Sequence, residues 1–197
     1  MEFKILKDLV IHIIPGVSSR YFIENNGLPC KIVTINSIAD GKINPDLLDS
    51  RNLGPLTMRG ATIDGCQLRY GDVVISEKGP VFKAALVDFD LENCFVSPNI
   101  TAFRLHQSIK PQIIVEFLNS PVGQLALVST SRGSKYLFVH RSDILDLKVP
   151  VPSLELQIKL VGYCDSVDSY LTSLKKEETL IRDMKRHIIT TAFEVTP

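Results

Sequence analysis

The sequence has no run of eighteen apolar residues, so it offers no membrane-spanning helix by length and composition. It has no excess of charge either. The 22 Lys and Arg balance 22 Asp and Glu, 16 against 15 in residues 1–150 and 6 against 7 in residues 151–197. Strong nonspecific attraction of the isolated chain to nucleic acid is therefore not expected, although local basic patches stay open. The four cysteines (Cys30, Cys66, Cys94, Cys164) lie far apart with no CxxC spacing, and the four histidines are equally scattered. Neither a zinc site nor a disulfide framework is indicated, and the cysteines read as buried, reduced thiols. The first fourteen residues are interrupted by Glu2, Lys7 and Asp8 and do not read as a signal peptide, so a cytoplasmic protein is expected. There is no GxGxxG, no P-loop and no Asn/Asp-Pro-Pro-aromatic motif, which removes the usual machinery of nucleotide hydrolysis and methyl transfer. Asp88, Asp90 and Glu92 would share one strand face and could hold a divalent cation, but the wet face of an edge strand is the simpler reading. No catalytic residue, metal or cofactor is expected.

What the chain does have is a long helical tail. Stepping alternately four and three residues from Leu160 gives Cys164, Val167, Leu171, Leu174, Glu178, Ile181, Lys185, Ile188 and Ala192, of which only Glu178 and Lys185 are polar. A seven-residue repeat kept for over four heptads is a coiled-coil seam and needs a partner helix. Leu160, Cys164, Val167, Leu171, Leu174, Ile181 and Ile188 are the expected dimerisation positions, with Glu178 and Lys185 able to pair across an antiparallel partner. Pro150 and Pro152, then Ser153 as N-cap and Glu155 in the first turn, mark the start. The crowded apolar residues Leu154, Leu156, Ile158, Leu160 and Val161 suggest that the first turns pack on the chain's own domain. Gly162 is a candidate for close helix approach. The expected division is a domain over 1–150 and a helix over 151–197.

Ahead of the helix the pattern is mixed. Residues 3–14 (FKILKDLVIHII) read as a short helix, alone or leading into a strand, and KIVTINSI at 31–38 alternates like a half-buried strand. Asn44 to Asp64 is irregular. Val73–Ser76 reads as a buried strand after a turn at Gly71 and Asp72, Lys83–Phe89 as its antiparallel neighbour, and Cys94–Leu105 as one or two more strands. Residues 111–128 change to helical spacing, with Pro111 opening one helix and Ser120 with Pro121 a second. The fold class is α+β: a small antiparallel sheet, able to curl into a barrel, plus helices, then the long helix. Between Ser129 and Ser142 there are three Lys or Arg and no carboxylate, the most cationic stretch of the domain.

GDVVISEKG at 71–79, SPNITAFRL at 97–105, FLNSPVGQ at 117–124, the glycine-serine loop at Arg132 to Ser134, and LKVPVPSLELQIKLV at 147–161 occur in an order that resembles the specificity (S) subunit of type I restriction-modification systems. Each motif is weak alone, and together they cover nearly the whole chain. Specificity subunits carry two target-recognition domains, each followed by a long spacer helix, and the two helices pack antiparallel. This chain has one of each and so resembles a half subunit. The resemblance implies either homodimerisation or a fragment of a longer protein. It further implies double-stranded DNA as ligand, a DNA methyltransferase (modification) subunit as partner and, through that complex, a restriction subunit. Side chains on loops would then read bases while nearby cations hold phosphates. The candidates are Ser18, Ser19, Arg20 and Tyr21, the last two expected exposed, and Ser131, Arg132, Ser134 and Lys135, with Arg59, Arg69, Lys78 and Lys83 as second choices. The competing reading is a coiled-coil scaffold, or an anti-restriction decoy that binds methylation subunits without reading DNA.

Overall fold

The computed structural model describes residues 2–55, 63–133 and 137–194. In chain order the elements are β1 (Glu2–Ile5), β2 (Val10–Ile14), β3 (Phe22–Ile23), β4 (Leu28–Val33), β5 (Ile38–Ala39), β6 (Lys42–Ile43), β7 (Asp49–Leu53), α1 (Ile63–Cys66), β8 (Val73–Ser76), β9 (Ala84–Leu86), β10 (Cys94–Val96), β11 (Ile100–Leu105), α2 (Pro111–Asn119), α3 (Pro121–Thr130), α4 (Arg141–Leu145), β12 (Lys148–Val151) and α5 (Leu154–Glu194). Two compact units divide the chain, Met1–Gln157 and Ile158–Pro197.

The first unit is α+β and contains three sheets among the described residues. One has strand order β2-β11-β8-β9-β6-β5, one β10-β4-β7-β3, and the third pairs β1 with β12. The larger two are mixed rather than purely antiparallel, because β10 runs parallel to β4 and β6 parallel to β9. Neither closes into a barrel. Strand alternation distributes the core. Val33, Cys94 and Val96 face a cluster with Ile14, Val74, Ile100 and Ala102, while Cys30, Ile32 and Phe95 face a second with Val17, Tyr21 and Leu53. Each face of the β4–β10 pair therefore contributes to a core cluster, while Pro29 and Lys31 of β4 stay exposed. Burial, aided by the neighbouring Cys30 thiol, pushes the Cys94 thiol up to about 12. Cys30, Cys66 and Cys94 are buried free thiols as expected, whereas Cys164 is only half-buried.

The first fourteen residues contain no α-helix. Leu6 and Leu9 are buried within a 3-10 turn that joins two strands with different partners, β1 antiparallel to β12 and β2 antiparallel to β11. The irregular stretch after Asn44 contains β7, paired with both β3 and β4. The expected strands at 73–76, within 83–89 and within 94–105 are present as β8, β9, β10 and β11.

The FLNSPVGQ segment has a structural cause. Pro121 occupies the first position of α3, and the Ser120 hydroxyl accepts from the Gly123 N–H at 3.1 Å while donating to the Phe117 carbonyl at 2.7 Å. A side chain at Gly123 would bring its Cβ to 2.0 Å from the Phe117 oxygen, so the 73° elbow between α2 and α3 requires glycine there. Asn119 then accepts from the Ala84 N–H at 3.0 Å and donates to the Ala84 carbonyl at 2.9 Å. Gln124 does the same for Phe82, at 3.1 and 2.7 Å, and also donates to the Leu118 carbonyl at 2.7 Å. Two side-chain amides thus act as a strand along residues 82–84.

A third amide holds the start of α5. Ser153 caps the helix, its Oγ accepting from Leu156 N–H at 3.4 Å. The apolar residues expected to seat these turns do not: Leu154, Leu156 and Ile158 are 57%, 40% and 57% exposed. Gln157 is buried instead, accepting from the Lys110 N–H at 2.7 Å and donating to the carbonyls of Ser108 and Pro152 at 3.1 and 2.9 Å. Unpaired buried groups cost about 1–3 kcal/mol each, so the polar residue here is the anchor.

The second unit is the remainder of α5, a helix of 41 residues, about 60 Å at 1.5 Å per residue. No described single helix is long and apolar enough to cross a membrane. Among the expected seam positions Leu160, Val167, Leu171, Leu174, Ile181 and Ile188 are all exposed, and Cys164 is half-buried. Tyr163, Tyr170 and Met184 widen the stripe. Glu178 is held on its own helix by Arg182, through Nε at 3.0 Å and Nη2 at 2.6 Å, and needs no cation from outside. No heavy atom outside its own helix turns lies within 4 Å of where a Gly162 side chain would begin, so that glycine marks no close approach within the chain.

Replacing Gln157 by Leu, similar in size but unable to pair, is expected to lower the stability of the first unit by about 3 kcal/mol. Leu156→Ala, at an exposed site, should cost under about 1 kcal/mol. Urea unfolding followed by circular dichroism compares the two, and equal losses would contradict the assignment.

Candidate nucleic-acid interface

The structure gathers some of the expected DNA-contacting residues and separates others. Arg132 and Phe138 exchange backbone hydrogen bonds in both directions, at 2.8 and 3.0 Å, an antiparallel pairing that makes these two residues a hairpin stem. Phe138 bridges on its other side to Lys78, and the Gly79 N–H donates to the Leu137 carbonyl at 3.3 Å. Lys78 and Arg132, 54 positions apart in sequence, thereby flank one residue. The Lys78 ammonium lies 5.6 Å from the Phe138 ring centroid, and the His140 ring meets Phe138 edge-on at 4.6 Å. Gly133 has φ +94°, which a side chain would strain. Ser134 and Lys135 lie outside the described residues, as does Arg59.

The hairpin is less cationic than its sequence suggests, because folding supplies carboxylates from elsewhere. Arg132 sits 3.9 Å from Asp143 of α4, and Arg141 Nε lies 3.9 Å from the carboxylate of Glu77. Both are loose pairs. Glu77 is 8% exposed and accepts from the Thr101 hydroxyl at 2.5 Å, while Arg141 Nε is buried without a hydrogen-bond partner. Lys83 is half-buried on the β8–β9 ladder, where its N–H donates to Ser76 Oγ at 2.9 Å. Ser131 Oγ donates to the Val128 carbonyl at 2.7 Å and ends α3.

The other candidates stand on different elements. Arg69 is exposed on the turn before β8; its backbone N–H donates to Asp72 at 2.7 Å, and the buried Asp72 carboxylate also takes Arg104 bidentately at 2.8 and 2.9 Å. Ser18 is half-buried, and Ser19 and Arg20 are exposed. Tyr21 is not exposed as expected but 9% accessible, in the second core cluster. Its aromatic ring is more valuable buried than solvated, and its hydroxyl reaches the surface to accept from Arg20 Nη2 at 2.8 Å. The arginine carbon Cζ lies 4.8 Å from the tyrosine ring centroid.

Sequence reasoning passed over two cations on the β10-β4-β7-β3 sheet. Lys31 and Arg51 line a recess of about 510 Å³ with Ser50 and Asn52. Lys31 Nζ donates to Ser50 Oγ at 2.8 Å, and Arg51 lies 3.4 Å from Asp49. The alternation of buried Cys30, exposed Lys31 and buried Ile32 was the available signal for the first; β7 carried none. Asp88, Asp90 and Glu92 do not share a strand face, since β9 ends at Leu86, and the described residues bring no group of three or more metal-ligating side chains together.

No family model and no curated protein matches the sequence. Among solved structures, a chain from a study of complex assembly and conformational transition of the type I restriction-modification system is similar with a TM-score of 0.61 at 20% identity, over 89% of this chain and 40% of that one. The HsdS subunit from Thermoanaerobacter tengcongensis is similar with a TM-score of 0.56 at 21% identity, over 89% and 39%. The chain has the HsdS fold with one domain, and it spans about two fifths of the length of these structures.

Gly133→Ala is expected to open the hairpin locally, at a cost of about 1–2 kcal/mol. Native-state hydrogen exchange should then show reduced protection of the Arg132 and Phe138 amides and unchanged protection in β8 and β11. Unchanged exchange at Arg132 and Phe138 would show that their pairing does not depend on this glycine.

Proposed function

We propose that the chain is a non-catalytic specificity subunit that reads one half of a bipartite DNA target and docks a DNA methyltransferase subunit in the cytoplasm, with a restriction subunit joining through that complex. The observation that carries this reading is the exposed apolar stripe of α5 in a chain with the HsdS fold at two fifths of the length. Full burial contributes about 2 kcal/mol per Leu or Ile side chain, so a stripe of this extent has a strong drive to pair. The occupant we assign is the α5 of a second copy, packed antiparallel, which supplies the domain and helix that a full-length subunit would carry in one chain. A two-fold dimer reads the same half-sequence twice in opposite orientation. The target is then a bipartite palindrome, and about 60 Å of helix limits the separation of half-site centres to about 17 base pairs.

The hairpin of Lys78, Arg132 and Phe138, the Arg20–Tyr21 pair and the Lys31–Arg51 recess are the assigned DNA contacts. Of their cations Arg132 and Arg51 each face a carboxylate of the same unit, and the chain as a whole is neutral. Attraction to phosphate is correspondingly weak, and the methyltransferase subunit is assigned the role of completing the grip.

Co-expression with a candidate methyltransferase subunit, purification of the complex and selection of bound sites from random duplex DNA test the reading. A bipartite palindrome enriched only with the complex supports it; stable association without any enriched sequence leaves the scaffold or decoy reading in its place. Nanomolar sequence-specific binding by the chain alone at physiological salt would overturn the assigned dependence on the second subunit. Leu171→Lys with Leu174→Lys is expected to convert a dimer to a monomer in sedimentation equilibrium, without lowering the urea midpoint of the first unit, and to replace the palindrome by a single half-site.

A further inference from the structure

Most arginines of the first unit face a carboxylate. Arg51 pairs with Asp49, Arg104 with Asp72, Arg132 with Asp143 and Arg141 with Glu77. Arg20 differs because the group that orients it is neutral. Its Nη2 donates to the Tyr21 hydroxyl at 2.8 Å and its carbon Cζ lies 4.8 Å from the same ring. A hydrogen bond and a cation–π contact to one rigid group fix the guanidinium while leaving its charge uncompensated and its other N–H groups for a ligand.

That rigid group is itself well held. The Tyr21 ring is 9% exposed among Val17, Leu53 and Phe95; its N–H donates to the Ser18 carbonyl at 3.0 Å and its carbonyl accepts from the Gly54 N–H at 2.8 Å. Beside it lies a recess of about 540 Å³ walled by Arg20, Tyr21, Ile23, Gly54 and Pro55, open to a ligand edge. A planar fork of donors, pre-oriented next to open space, matches two acceptors side by side on a flat ligand. Among base pairs in the major groove, guanine alone presents that pair, at O6 and N7.

We propose that Arg20 is a specificity-determining residue that reads a guanine in each half-site, with Tyr21 as its positioning residue. The assignment rests on the reading of the chain as a DNA-binding specificity subunit and adds the base and the residue that recognises it. A phosphate contact would use the same charge but would carry no base preference.

The test is site selection from a randomised duplex library with the 197-residue chain in complex with its methyltransferase subunit, for the unaltered protein and for Arg20→Ala, Arg20→Lys and Tyr21→Phe. The unaltered complex is expected to require guanine at one fixed position per half-site. Arg20→Ala should lower discrimination at that position by roughly 10- to 100-fold and leave the rest of the motif intact. Arg20→Lys, which keeps the charge without the fork, should retain the salt dependence of binding and lose the base preference. Tyr21→Phe keeps the buried ring and should weaken preference at the same position alone. A uniform loss of affinity across sequences in Arg20→Ala, with a salt slope reduced by about one, would make Arg20 a phosphate contact and overturn the proposal. An unchanged motif would overturn it too. Failure of the unaltered complex to enrich any sequence would overturn both this assignment and the DNA-reading function, and is distinguished because the unaltered complex is the one that fails.

Discussion

The first unit depends on backbone groups being paired where helices meet sheet. Three side-chain amides do this. Asn119 and Gln124 supply both a donor and an acceptor to the peptide groups of Ala84 and Phe82, and Gln157 closes the donor of Lys110 and the carbonyls of Ser108 and Pro152. An amide side chain presents the same donor and acceptor as a peptide bond, so it can end a sheet without another strand. The short strand β9 can therefore stop after three residues and still leave its flanking backbone matched. Once Asn119 and Gln124 are fixed at these points, the elbow at Ser120 and Gly123 has one permitted angle. Helix α3 then delivers the chain to the Arg132–Phe138 hairpin.

How far the sequence revealed this differs from element to element. Strands β8 and β11 were legible because most of their residues are apolar, and nearly all are buried, and α2 and α3 because Pro111 and the Ser120–Pro121 pair punctuate a change of period. The opening FKILKDLVIHII was misleading for a physical reason: its apolar spacing fits a helix, but β12 and β11 offer backbone partners that an isolated segment does not have. Strand β7, DSRNL, is polar on its exposed positions and is a strand only because β3 and β4 pair with it on either side. The parallel pairings β10–β4 and β6–β9 leave no local trace at all. At the candidate interface, local charge pointed to Arg132, but its meeting with Lys78 is set by Phe138, and the opposing Asp143 and Glu77 come from outside the cationic stretch.

Many polar side chains of α5 beyond Gln157 are satisfied along its own length. Ser166, Thr172, Ser173, Thr179, Thr190 and Thr191 each donate to the carbonyl four residues before, and Arg182 and Arg186 pair with Glu178 and Asp183. Beside them stands an exposed apolar set. Ile181 and Ile188, like Met184, are more than 60% exposed. In the proposed dimer the contribution of the partner helix is therefore chiefly the removal of hydrocarbon from water. Such contacts fix separation through the seven-residue repeat and tolerate many side chains, whereas polar contacts would demand one.

Charge tells a complementary story about recognition. Asp143 and Glu77 lie 3.9 Å from Arg132 and Arg141 and offset part of the local positive potential, which in the proposed DNA-reading role favours discrimination over attraction. A surface built on raw attraction would bind every duplex and hide its own preference beneath the nonspecific background. By that logic an arginine whose fork is fixed without a counter-charge is the informative one in the proposed role. Tyr21 does this for Arg20: the ring's burial supplies rigidity, its hydroxyl supplies direction, and neither cancels the guanidinium charge. Orientation and charge, which compete wherever a carboxylate does the orienting, are separable here because the orienting group is a phenol.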